Sequence, residues 1–176
     1  MDGKHPVNLL SRLFGTADPR AALRPLWHRS VEISREPEWY AQCGVADTVA
    51  GRFDMVSAVL ALVLLRLEAA GRTPETALLT ELFVDDMDGQ LRESGVGDLV
   101  VGKHMGKLMA TLGGRLGAYR DALGETDSAS LVEAARRNVT LTDGTAPDAL
   151  ASRLRALADA LAATGAEDLL AGRIER

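Results

Sequence analysis

Apolar positions in this chain recur every three or four residues almost from end to end, the period of a helix with one buried face. Leu23, Leu26 and Trp27 follow Pro19, a residue suited to a first helical turn, and predict a helix to about Val31. Ser34 to Val45, with Pro37, Trp39 and Tyr40, reads as short and irregular. Asp47 then suits an N-cap for a long helix reaching about Ala70, with Gly71 as its stop. Between Met55 and Leu65 that helix is apolar nearly all round, which places it at the centre of the fold. Pro74 opens a further helix whose face is Leu79, Leu82, Phe83, Met87 and Leu91.

Gly95-Val96-Gly97 interrupts the pattern, and Asp98 can cap a helix reaching roughly Leu123. Its stripe is Val101, Met105, Leu108, Leu112, Leu116, Tyr119 and Leu123. A turn over Gly124 to Asp127, a short helix around Leu131 to Val139 and a polar loop from Thr140 to Ala146 follow. A terminal helix over about 146–164 carries Leu150, Leu154, Leu157 and Leu161 on one face. No strand alternation competes and no repeat recurs at a fixed period. The expected fold class is all-α, an irregular helical bundle forming a single domain over residues 1–176.

Composition agrees with this pattern and narrows the partners. Hydrophobic residues are 47% and aromatic ones 4%, so the core must be aliphatic, a bias toward helices over strands. The net charge of −5 argues against nucleic acid as a partner. The lone cysteine, Cys43, has no internal disulfide partner, and no Cys/His framework suggests zinc. Residues 1–15 interleave Val7, Leu9, Leu10, Leu13 and Phe14 with Lys4, Ser11 and Arg12, an amphipathic segment without the features of a secretory signal. The apolar stretch Met55 to Leu65 is too short to span a bilayer.

Several residues carry candidate chemistry, each with a plainer reading beside it. Gly97 to Lys103 fits G-x-x-x-x-G-K, yet His104 stands where a phosphate loop needs Ser or Thr, and a helix precedes it in place of a strand. Asp85, Asp86 and Asp88 are acidic neighbours, but on a helix they point apart, and Asp88 stands four residues before Arg92 in the favourable order for an ion pair. His5, His28 and His104 are scattered, and nothing in their spacing points to a catalytic triad. Arg52 sits where the apolar helix enters the core, so an ion pair with Asp85, Asp88, Glu93 or Asp98 is expected, with a contact surface as the second role.

The helix after Asp98 holds Gly102, Gly106, Gly113, Gly114 and Gly117, each costing about 1 kcal/mol against Ala in a helix interior. Gly102/Gly106 and Gly113/Gly117 are G-x-x-x-G pairs. Close packing inside the domain is the first expectation for them, and a groove for a partner's helix the second.

Three blocks together resemble the ubiquinol–cytochrome c chaperone family. They are Asp47-Thr48 with Gly51-Arg52-Phe53, Phe83 to Asp88, and Leu91 to Asp98 continuing to Val101-Gly102-Lys103; the likeness runs from about Trp39 to Leu123. The resemblance implies a helical, non-enzymatic assembly factor for respiratory complex III, needing no cofactor or metal. Its implied client is nascent or unassembled cytochrome b, with the ribosome or a second assembly factor as further partners. A bacterial form would be cytoplasmic or peripheral to the inner membrane. Two positions depart from the family pattern: Ser57 to Leu60 lacks a usual histidine, and Leu112-Gly113-Gly114-Arg115 lacks an aromatic pair before Gly-Arg.

The expected partner surface is Arg52, Asp85, Asp88, Arg92, Glu93, Asp98 and Lys103, with Gly102, Gly106, Gly113 and Gly117 as a helix-packing groove. A membrane-peripheral adaptor using residues 1–15 is the first alternative, and an all-helical enzyme with a pocket of converging acids and a histidine the second.

Overall fold

A computed structural model describes residues 18–93 and 98–176, with Leu91 and residues 98–104 described in backbone only. The elements run in order: a 3-10 turn over Pro19–Leu23, then α1 Arg24–Ser34, α2 Pro37–Ala41, α3 Val49–Ala69 and α4 Thr73–Glu93. They continue with α5 Asp98–Gly124, α6 Ser128–Asn138, α7 Asp148–Ala163 and α8 Ala166–Leu170. Among the described residues there is no strand beyond an isolated antiparallel bridge between Val45 and Leu141. The fold is all-α.

α3 is the central element. From Met55 to Leu64 nearly every side chain is buried, because α1, α4, α5 and α7 pack around it. Thr48, one residue after the expected Asp47, caps it, its Oγ1 accepting from the Gly51 N–H at 3.2 Å. Gly51 has a steric reason: a Cβ there would lie 2.0 Å from the Ala46 carbonyl oxygen. The chain thus turns tightly into α3, and no other residue fits. At the far end Gly71 takes φ +71°, the left-handed stop that ends a helix without strain.

Arginines close other helix ends by reaching across the bundle. Arg66 donates to the carbonyls of Leu161 and Thr164 at 2.9 and 2.8 Å, and Arg155 donates to Leu123 and Ala122 at 2.9 and 3.1 Å. These bonds satisfy carbonyls that the ends of α7 and α5 leave open. The irregular stretch after Ser34 contains α2, and a short α8 follows Gly165, where the sequence pattern had suggested only a stop. The core stripe of α5 keeps its phase: Leu112 and Tyr119 are buried, while Met105, Leu108, Leu116 and Leu123 pack partly buried against the core. Gly95 and Gly97 lie outside the described residues, as do residues 1–15.

Candidate functional site: an apolar groove and the ion pair beside it

α1 and α4 meet where Trp27 packs edge-on against Phe83, ring centroids 6.0 Å apart, and Phe53 of α3 lies 6.4 Å from the same Phe83 ring. Beside this aromatic contact a groove of about 1070 Å³ opens. Val31 of α1 and Arg35 just after it, with Pro37 and Tyr40 of α2, form one wall. Asp86, Met87 and Gln90 of α4 form another, Val49, Phe53 and Val56 of α3 line it further, and Leu108 of α5 contributes to it. Val49 is 88% exposed. An aliphatic side chain left to water beside an apolar concavity marks a surface that gains by being covered.

Charge sits at the edges. Arg52 Nε donates to Asp47 Oδ1 at 2.6 Å, and that bond holds the Asp47 carboxyl below its usual range while raising Arg52. The Tyr40 hydroxyl donates to the Ser34 carbonyl at 3.0 Å, and burial pushes its pKa up. Along α4, Asp85 is taken by Arg20 of the 3-10 turn, and Asp88 accepts from Arg92 Nε at 2.7 Å, the helical pair its spacing predicts.

Behind Phe53 lies a second, sealed arrangement. Arg115 of α5, 6% exposed, donates from Nη2 to Asp54 Oδ1. The other Asp54 oxygen accepts from the Thr140 N–H at 2.9 Å and from its hydroxyl at 2.6 Å. Arg115 also stands 5.5 Å over the Phe53 ring. One carboxylate therefore ties α3 to α5 and to the loop after α6. Arg115 Nε and Nη1 and the Tyr119 hydroxyl are buried without protein partners among the described residues. Burial raises the Tyr119 pKa, with Arg115 opposing and Asp54 reinforcing the rise.

The sequence expectations sort clearly. Arg52 is corrected: it is exposed and pairs with Asp47, not with Asp85, Asp88 or Glu93. The buried charge that the pattern assigned to Arg52 is Asp54, two residues on. At about 100° per residue, that step carries a side chain to the opposite face of the helix. The sequence signal for Asp54 is an acid standing directly before the stretch Met55 to Leu65, apolar but for Ser57.

Close packing of the glycine stripe inside the domain is likewise corrected. Among the described residues a Cβ at Gly106, Gly113, Gly114 or Gly117 would meet nothing within 4 Å, because these residues lie away from the Leu112–Tyr119 core face. Glu93 and Arg92 are exposed. The side chains of Asp98 and Lys103, and Gly102 with them, lie outside what is described. Among the described residues no three His, Cys, Asp or Glu stand close enough to hold a metal, and no helix is long and apolar enough to cross a membrane.

Comparison with known proteins now decides the lineage. The family model for ubiquinol-cytochrome C chaperones matches residues 41–176. The chain belongs to that family. The match runs to the last residue, well beyond the Trp39–Leu123 stretch in which the motifs were recognisable. The crystal structure of the Cbp3 homolog from Brucella abortus is similar, with 31% identity and a TM-score of 0.76. That similarity covers 94% of this chain and 95% of the other. No curated protein matches the sequence. In this chaperone the motif residues Gly51, Arg52 and Phe53 mark the tight entry to α3 and the edge of the groove, whereas Gly114-Arg115 leads into the sealed pair.

Proposed function

We propose that this protein is a non-enzymatic assembly chaperone that holds newly made cytochrome b during complex III biogenesis, covering an apolar helix of the client in the α1–α3–α4 groove. The observation that carries the reading is the groove itself, apolar within, charged at its edges, with Val49 exposed. A membrane protein's helix outside the bilayer needs reversible cover for its apolar face, and a groove between helices supplies it without permanent burial. The edge charges give orientation and partner choice more than affinity. Asp85, Asp88, Arg92 and Glu93 continue that charged surface along α4 from Asp86, while Arg52 begins it on α3. The site of action is the cytoplasm or the periphery of the inner membrane.

The test is a pull-down from source-cell membranes with wild type and Val49→Glu, after circular dichroism shows both folded. Cytochrome b, identified by mass spectrometry, is expected with wild type and reduced at least severalfold with the variant. Equal recovery by both would remove the groove from the reading, and no cytochrome b with wild type would remove the client.

A further inference from the structure

The edges of the groove carry an imbalance that the internal ion pairs leave in place. Among the described arginines, Arg35 alone has a side chain with neither an ion pair nor a hydrogen bond. The others reach a carboxylate or a carbonyl. Arg35 stands exposed on the α1–α2 wall of the groove. On the α4 wall the same holds for an acid. Asp85 has Arg20 and Asp88 has Arg92, but Asp86 accepts only a long 3.4 Å bond from the Gln90 amide and meets no cation among the described residues. An open cation and an open anion thus stand on separate walls of one apolar concavity.

Resting on the chaperone reading of the groove, we infer that its occupant is a single apolar helix carrying an acidic residue on one edge of its buried face, for Arg35, and a basic residue on the other, for Asp86. A helix fits because the walls are helices and offer no free strand edge. An extended peptide there would leave its backbone N–H and C=O groups unpaired against apolar side chains, whereas a helix satisfies its own. The size agrees. A cylinder about 10 Å across rising about 1.5 Å per residue fills the groove's volume with about nine residues, between two and three turns. A guanidinium suits the acid, since its planar fork matches a carboxylate with two donors. Opposite charges at the two edges select one facing of the occupant, because a helix with acids on both edges meets Asp86.

The probes are fluorescein-labelled synthetic helices of Leu and Ala, identical except at the two edge positions, which read Glu/Lys, Gln/Gln, Glu/Glu or Lys/Lys. Anisotropy titration of the full chain at low salt is expected to give Glu/Lys about three- to tenfold tighter binding than Gln/Gln or Glu/Glu, a margin that narrows as salt rises. Arg35→Glu is expected to move the preference to Lys/Lys while leaving Gln/Gln nearly unchanged, a reversal that misfolding would not produce. Equal affinity for all four helices, or an order that Arg35→Glu leaves intact, overturns the inference. If cytochrome b capture still depends on Val49 in that case, the chaperone reading stands and only the charge reading falls. If sodium laurate displaces every helix equally and charge has no effect, the groove is a site for an acyl chain instead.

Discussion

Arg52 and Asp54 are two residues apart on α3 and live in opposite worlds. The Arg52 side chain keeps 64% of its exposure in its pair with Asp47, whereas Asp54 and Arg115 keep 12% and 7%. In water the first pair gains little, since solvent screens it and both side chains give up rotamer freedom to hold it. The second has been stripped of water, and its ions depend on each other and on Thr140. The first turns of one helix therefore present a replaceable charge to solvent and, on their other face, a charge that joins α3 to α5 and the loop after α6. Phe53 stands between the two, lining the groove and lying under Arg115.

The comparison breaks most forcefully at the sealed pair. Asp54→Ala is expected to lose about 3–5 kcal/mol of stability in urea denaturation, because it leaves the Arg115 charge buried without a counterion. The double variant Asp54→Leu/Arg115→Met should lose distinctly less than Asp54→Ala alone. Arg115 holds two nitrogens without a partner among the described residues, so its removal relieves a desolvation that the pair only partly offsets. Additive losses would show that the two side chains do not act as a unit.

A middle-sized effect lies on the outward side of α5. Because a methyl at Gly106, Gly113 or Gly117 enters open space, each Gly→Ala change is expected to stabilise by about 0.5–1 kcal/mol, readable as a rise in the urea midpoint. Destabilisation by the triple variant would mean that something covers this face in solution.

That face also shows where sequence reasoning stopped. Helix ends at Gly71, Pro74 and Pro147 were legible because these residues act through the local backbone, whereas Pro19 opens only a 3-10 turn and α1 starts at Arg24 with Pro25 in its first turn. α3 declared its place through its run of apolar residues. Phase along one helix was legible too, so Leu112 and Tyr119 fell on the core side. What covers a face is a tertiary fact. The glycine spacing predicted a close neighbour, and among the described residues none lies within 4 Å of a Cβ at Gly106, Gly113, Gly114 or Gly117. The groove depends on how α1 and α2 lie against α3, which no pattern within one helix encodes. The buried charge was anticipated in kind and attached to Arg52, since an error of two residues is half a turn of the helix. The family motifs were readable as a block, but only the structure gives Gly51 its reason, the Ala46 carbonyl.

The smallest expected effect sharpens the other half of the comparison. Arg52→Ala should leave the urea midpoint of the chaperone where it is, because neither Arg52 nor Asp47 is shielded from water. It should nevertheless change how Asp47 titrates. The hydrogen bond from Arg52 holds that carboxyl below its ordinary value, so its NMR midpoint is expected to be lower in wild type than in Arg52→Ala. The sign follows from linkage. A carboxyl depressed in the folded state adds stability above its unfolded pKa, and that contribution is lost as pH falls through the folded one. At Asp47 solvent keeps the contribution small, so the titration moves while the stability does not. Were Arg52→Ala to unfold the protein as Asp54→Ala does, the two faces of α3 would not be divided between recognition and cohesion, and Arg52 would belong with the sealed pair.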